Sequence, residues 1–437
     1  MKCTILSVGD ELVTGRTIDT NSAWLSRELC ARGCEVVAHA TAGDDQPSIV
    51  AWMRVLAAQS DLLVCTGGIG PTPDDLTRQA LAEAMGVQLI RNESWVAHME
   101  QYFRERKREM PASNLIQAML PDGSELVHNP LGTASGIRAR LGNCRVVVLP
   151  GVPREMQRMF AETVLPAIRS PESGQVMLTR TLHTFSLGES VVASRIADLM
   201  QRGANPSVGT TVADGVVSVR IYSRGPESEA RRLLQETEAR LRERLSDVIY
   251  GVDEQTLQGV LVELMRQRGG FRVATAESCT GGLIAKMITD IPGSSEVFDS
   301  AFVTYSNRAK HARLGVSLDL IKVYGAVSEP VASAMAAGAV RLADVDAAVG
   351  VSGVAGPGGG TPAKPVGTVC IAVASKSPIP GEPGADDKQA WRSRRHDGIH
   401  VAARTFHFPG ERDWVRDRSA KMALWMLRNL LLGQPVG

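Results

Sequence analysis

No apolar run in the sequence is long enough to span a bilayer, and the opening MKCTILSVGDELVTG reaches charge and glycine too early for a secretory leader. A cytoplasmic protein that does not touch membranes is expected. Net charge is almost absent: 48 Lys and Arg against 47 Asp and Glu leave +1. Neither a nucleic-acid field nor a funnel for acidic substrates is advertised. A disulfide framework is missing too, because the seven cysteines, at 3, 30, 34, 65, 144, 279 and 370, are odd in number and scattered. Cys30 and Cys34 have helical spacing, yet no second pair of soft ligands accompanies them, so reduced thiols fit better than a zinc site. Internal repeats and a GxxxxGK[ST] phosphate loop are also absent.

What is present is length and alternation. A chain of 437 residues exceeds one ordinary core, so two or three domains are expected. In the first 170 residues, strand-length apolar runs (CTILSVG, EVVAHATAG, DLLVCTGG) alternate with amphipathic stretches (NSAWLSRELCARG, PSIVAWMRVLAAQS, DLTRQALAEAMG). That order predicts an α/β domain with a parallel sheet covered by helices on both faces. SGIRARLGNCRVVVLPG adds two strands, VPREMQRMFAETVLPAIR reads as a closing helix, and SPESG marks a break. Residues 171–252 read strand, helix, strand, strand, helix, strand, a small α+β module of the split βαβ kind. Its arginines Arg231, Arg232, Arg240, Arg242 and Arg244 share a helix with many glutamates, which points to a solvated face. From 253 to 437 a second α/β domain is expected, with a helix over DEQTLQGVLVELMRQRGG, strands at RVATAES, EVFDSAFVTYS, DAAVGVSG and GTVCIAVAS, and a last helix after Arg412. KSPIPGEPGADDKQAWRSRRHDG, rich in Pro, Gly and charge, reads as an exposed loop.

Three polar turns follow predicted strands in the first domain: GDELVTG, TGGIGPTPDD and LPGVPREM. In an open parallel sheet such turns converge beyond the carboxyl ends of the strands, where ligands bind. Gly67, Gly68 and Gly70 allow backbone N–H groups to approach a phosphate, and Asp10, Glu11, Asp74 and Asp75 are hard donors for a divalent cation. A tight turn with an aspartate helix cap is the simpler reading of any one of them. As a set, with DTNSAWLSRELCARG and NPLGTASG, they closely resemble the molybdopterin-binding-like domain at the front of the CinA, or competence/damage-inducible, family over about residues 1–170. This resemblance implies a pyrophosphatase-type activity on ADP-ribose that depends on a divalent cation. The ligand site it implies comprises Asp10, Glu11, Thr66, Gly67, Gly68, Gly70, Thr72, Asn129, Gly132, Pro150 and Gly151, with Asp74 and Asp75 as metal ligands.

In the last domain, AESCTGG puts Ser278, Cys279 and Thr280 at a strand-to-helix turn with two glycines. A serine there can be a helix cap, or a nucleophile whose oxyanion is held by N–H groups of the following helix start. A hydroxyl needs a base, and Tyr305 and Lys310 are candidates; a desolvated lysine acts as a neutral base. Gly353 to Gly360 form a second glycine-rich turn, and Arg412 and Arg416 could clamp a phosphate or pair on the last helix. AESCTGG, GSSEVFDSAFVTYSNRAK, GAVSEP, GVAGPGGG, KPVGTV and FPGERDWVR together closely match the CinA C-terminal, or nicotinamide-nucleotide amidase, domain over about residues 255–433. The match implies hydrolysis of nicotinamide mononucleotide without a cofactor, with Ser278 as nucleophile and Tyr305 and Lys310 activating it. It implies substrate-binding roles for Thr280, Gly281, Ser295, Gly356, Pro357, Gly358 and Arg412, and a homodimer. Rival readings are a nucleotide-binding scaffold and a pterin-binding transferase.

Overall fold

CTILSV and LLVCT are too short for helices and buried along their whole length, as a strand covered on both faces requires. The computed structural model describes residues 1–168, 175–379, 392–396 and 398–436. It divides into two compact units: Met1–Thr179 with Gly203–Pro206 and Tyr222–Thr237, and Arg180–Arg202 with Ser207–Ile221 and Glu238–Gly437.

The first unit contains β1 (Lys2–Val8), β2 (Glu35–Ala42), β3 (Leu62–Thr66), β4 (Leu89–Arg91), β5 (Met119–Pro121), β6 (Glu125–Val127), β7 (Gly136–Leu141) and β8 (Cys144–Leu149). Six of these form one sheet in the order β2-β1-β3-β8-β7-β6, and β4 pairs with β5. Pairing is parallel from β2 to β8. β7 pairs antiparallel with both β8 and β6, unlike the parallel sheet expected, because Gly142 and Asn143 alone join β7 to β8 and only a hairpin can close over so short a link. Helices Thr20–Ala31 and Gln46–Ala57 begin on Asp19 and Asp45, whose carboxylates each accept a serine N–H at 2.9 Å. They cover opposite faces: Leu25 and Leu29 pack with Met156, Met159 and Phe160, whereas Ile49, Val50 and Met53 pack with Leu6, Leu63 and Val146. The expected closing helix runs only over Pro153–Met159; a wider turn at Phe160–Val164 and a tighter one at Leu165–Ala167 follow. Pro166 supplies no N–H to continue the ladder. The SPESG break lies outside the described residues.

The middle segment follows the expected order. β9 (Gln175–Thr184), β10 (Ser207–Ala213), β11 (Val216–Pro226) and β12 (Ile249–Val252) form a sheet in the order β10-β11-β9-β12, with helices Glu189–Arg195 and Glu227–Leu245. The five arginines of the long helix all have carboxylate partners: Arg231, Arg232 and Arg242 with a glutamate one turn away, Arg240 and Arg244 with Asp198.

The last sheet has the order β14-β13-β15-β16-β18-β17, from β13 (Val273–Glu277), β14 (Phe298–Val303), β15 (Ala347–Gly353), β16 (Thr368–Ser375), β17 (Arg392–His396) and β18 (Ile399–His407). β14, β13 and β15 are parallel and the others antiparallel. Helices Leu257–Gln267 and Arg412–Leu432 cover one face. Glu329–Ala343 covers the other so closely that a Cβ on Gly350 would stand 2.3 Å from the Ala332 carbonyl oxygen. The loop expected after Ser375 is in part strand: Arg392–His396 pairs with β18 as a charged edge. Residues 380–391 and 397 lie outside the described residues.

Candidate active site

β13 ends at Glu277, but the next helix does not start until Leu283, since Gly281 and Gly282 turn the chain through φ 61° and 94°. That left-handed backbone is what both glycines are for. Ser278 is therefore not the helix cap. Glu277, fully buried, caps from the strand: its carboxylate accepts the N–H groups of Gly282 at 2.9 Å, Ile284 at 3.2 Å and Ala285 at 2.9 Å. The serine hydroxyl is left for another partner.

That partner is Lys310. Ser306 caps the helix Asn307–Leu314, accepting the Ala309 N–H at 3.1 Å, and helical side chains lean toward the N-terminus. The lean brings Lys310 Nζ back to the carbonyl oxygens of Thr304 and Tyr305, at 2.9 and 3.2 Å, and to Ser278 Oγ at 2.8 Å. Lys310 is 1% exposed, and burial lowers its pKa below the usual lysine range. In its neutral form the amine has two hydrogens and one lone pair, so with both hydrogens on the carbonyls the lone pair would be left for the serine. His311 is turned away, its Nδ1 2.9 Å from the Val316 carbonyl oxygen. Cys279 is buried and its thiol is pushed up to about 12, so it stays protonated beside a serine that has a base.

Two expectations change here. The helix-start amides expected at the oxyanion are held by Glu277, whereas the Cys279 and Thr280 N–H groups, ahead of the glycines, make no backbone hydrogen bond among the described residues. Tyr305 is 62% exposed, and its hydroxyl accepts from Arg412 Nη2 at 3.3 Å instead of meeting Ser278. Its contribution to Lys310 is its backbone carbonyl.

Around this pair the last helix fixes two loops. Arg412 Nη1 donates to the Gly356 carbonyl oxygen at 2.8 Å, and Arg416 Nη2 to that of Thr280 at 3.0 Å. Gly356, at φ 86°, opens the turn that carries Pro357 and Gly358. The Thr280 hydroxyl is fully buried with no hydrogen-bond partner among the described residues. Ser295 sits exposed in the turn Ser294–Glu296, without a hydrogen bond to Ser278 or Lys310 among the described residues. Glu277 has no assigned part in the sequence reading, though a carboxylate ending a buried strand is the available signal for it, and Arg416, expected on a phosphate or paired on the last helix, instead holds the Thr280 carbonyl.

In the first unit the predicted turns meet where the strand order reverses about β1 and β3. A Cβ on Gly151 would stand 3.4 Å from Gly67 Cα, and Thr66 Oγ1 donates to the Pro150 carbonyl oxygen at 2.9 Å. Asn21, absent from the expected set, bridges them through Thr66 Oγ1 at 3.2 Å and the Gly151 carbonyl oxygen at 2.8 Å. Asp75 serves the turn: it accepts the Gly70 N–H at 2.7 Å, the Thr72 N–H at 2.9 Å and the Thr72 hydroxyl. Asn129 is fully buried and shapes its own loop, accepting from the N–H groups of Leu131 and Gly132. Negative charge gathers instead at Asp44, whose pKa is raised by burial and by Asp10, Glu11 and Asp74. These oxygens suit a hard cation chemically, but among the described residues no group of three or more His, Cys, Asp or Glu is assembled to hold one.

Family models match three consecutive stretches: "Probable molybdopterin binding domain" over 4–170, "Damage-inducible protein CinA KH domain" over 179–251 and "CinA C-terminal domain" over 254–382. Residues 179–251 contain no GxxG run, the loop with which KH modules clamp a nucleic-acid backbone. No helix of the described residues is long and apolar enough to cross a membrane. The crystal structure of the protein CinA "with unknown function" from Thermoplasma acidophilum is 32% identical, covers 38% of this chain and 99% of its own, and has a TM-score of 0.36. A CinA-like protein from Geobacter sulfurreducens is 40% identical over 434 residues, 99% of this chain and 100% of its own. One from Geobacter metallireducens is 40% identical over 435 residues, again 99% and 100% of the two chains. With that identity along the full length of both chains, this protein belongs to the CinA family.

Proposed function

We propose that the protein hydrolyses the carboxamide of nicotinamide mononucleotide to the carboxylate, releasing ammonia. The observation that carries this reading is the buried Lys310 with Nζ 2.8 Å from Ser278 Oγ. Neutral Lys310 takes the Ser278 proton as Oγ bonds to the amide carbon, and the carbonyl oxygen gains the charge. We assign that oxygen to the Cys279 and Thr280 N–H groups, which make no backbone hydrogen bond among the described residues. Lys310 then passes its proton to the departing nitrogen, and the C–N bond breaks to give ammonia and a serine ester. Water, deprotonated by Lys310, attacks that ester and returns Ser278 with the acid. These steps use no metal or cofactor. The Gly356 turn and the Thr280 hydroxyl are the groups assigned to the nucleotide.

Ammonia and nicotinic acid mononucleotide should form in equal amounts from wild type, with or without chelator, and Lys310→Met should lose at least about a thousandfold in kcat. Nucleotide binding with no turnover by wild type would favour the scaffold reading.

For the first unit we propose pyrophosphate hydrolysis of ADP-ribose, assisted by a divalent cation. Supporting it are the meeting of the glycine turns at the sheet's reversal point and the negative charge around Asp44. A hard cation would neutralise pyrophosphate oxygens there, with Asp10, Asp44 and Asp74 better free to bind it than Asp75. Chelator should abolish this activity and leave ammonia release intact. Pterin binding by the full chain, with ADP-ribose untouched, would point to the transferase instead. We further propose a cytoplasmic homodimer, which sedimentation of the purified chain and cell fractionation would test.

A further inference from the structure

The helix Arg412–Leu432 presents a second face that the amide reading does not use. At about 100° per residue, Trp414, Arg418, Met422 and Trp425 cluster roughly 140° around the helix from Arg412 and Arg416. This face lines a cavity of about 940 Å³, at the upper end of small-molecule sites. An opposite wall is Phe406 and Phe408, stacked with ring centres 5.7 Å apart and planes 7° from parallel. Successive odd or even strand residues share a face, which is why these two rings align.

Two guanidinium groups lie on these rings. Arg418 is 5.1 Å from the ring centre of Phe185, 5.8 Å from Trp414 and 6.0 Å from Phe408, and Arg404 is 5.3 Å over Phe406. Neither has an ion-pair partner among the described residues. Asp247, a carboxylate of the lining, is 2.9 Å from Arg195 and already neutralised. Arg418 also donates to the Gly215 carbonyl oxygen and has Asp417 beside it, so the cavity combines flat apolar walls with two guanidinium groups that have no ion pair among the described residues. Burial lowers the Arg418 pKa, the mark of a cation short of solvation.

We propose that this cavity binds a small planar aromatic anion, its ring against Phe406, Phe408 and Trp414 and its charge on Arg404 and Arg418. The proposal stands apart from the amide reading. The occupant would press on the helix that ties down the Thr280 and Gly356 loops, from its other side.

The probe is anilinonaphthalene sulfonate, a planar aromatic anion, titrated into the full chain and followed by fluorescence. Wild type should show a saturable single-site rise, and Arg404→Gln and Trp414→Ala should each weaken it about tenfold. Ser278→Ala should bind the dye as wild type does, and the uncharged phenylnaphthylamine should bind wild type about tenfold more weakly than the sulfonate. Arg404 is half-exposed, so Arg404→Gln keeps the test valid if Trp414→Ala does not fold. Titrations that coincide for wild type and Arg404→Gln overturn the site. Equal affinity for the uncharged dye overturns its anionic class.

Discussion

An ammonium held at 1% exposure by two carbonyl oxygens and a hydroxyl is compensated less well than it would be by water, so Lys310 favours its neutral form. Because its folded pKa lies below the unfolded value of 10.5, the two states bind protons unequally between those values. There the unfolded chain holds the extra proton, and stability rises with pH; below the folded pKa both states are protonated and this contribution is at its lowest. The acid limb of kcat/KM for ammonia release should accordingly fall below the range of a free lysine, and Lys310→Met should flatten the pH dependence of urea midpoints across that window. Tyr305→Phe separates the two accounts of the tyrosine. With its hydroxyl on Arg412 and its carbonyl retained, the variant should keep kcat within about threefold of wild type, whereas a proton relay would lose about a hundredfold or more. Ser278 and Lys310 were readable as residue types at matching spacing. The direction of the Tyr305 side chain was not, because a hydroxyl five residues before a lysine can face either the cleft or solvent.

At the scale of elements, the turn after β13 works because a strand carboxylate takes the amides of the following helix. Glu277→Gln leaves a single acceptor oxygen for three donors, and should cost about 1–3 kcal/mol in denaturant unfolding. The alanine-rich helix Glu329–Ala343 packs on β15 across Gly350, where a methyl would meet the Ala332 carbonyl. Gly350→Ala should therefore destabilise by roughly 1–3 kcal/mol, read as a lower urea midpoint at unchanged slope. That helix was legible residue by residue, since small residues and a proline start mark its ends and face. β18 and its edge partner β17 were hidden: RSRRH carries no apolar alternation, and it becomes a strand only by pairing with β18, the next strand along the chain. The hairpin that reverses β7 was legible as two strands but not as a change of direction.

For the whole molecule, the three-part order was written in the alternation of apolar runs, and the two chemistries proposed lie in separate units. They should be separable by reagent: chelator removes ADP-ribose hydrolysis alone, and Ser278→Ala removes ammonia release alone, each measured on the same preparation of full chain. The measurement that bears most directly on the central claim is ammonia release from nicotinamide mononucleotide by Ser278→Ala beside Cys279→Ala. The neighbouring thiol, buried and held protonated, is the more reactive atom type in the turn and an alternative nucleophile. The account predicts a loss of at least about a thousandfold for Ser278→Ala and wild-type kcat to within about tenfold for Cys279→Ala. Ammonia release that survives in Ser278→Ala would contradict it.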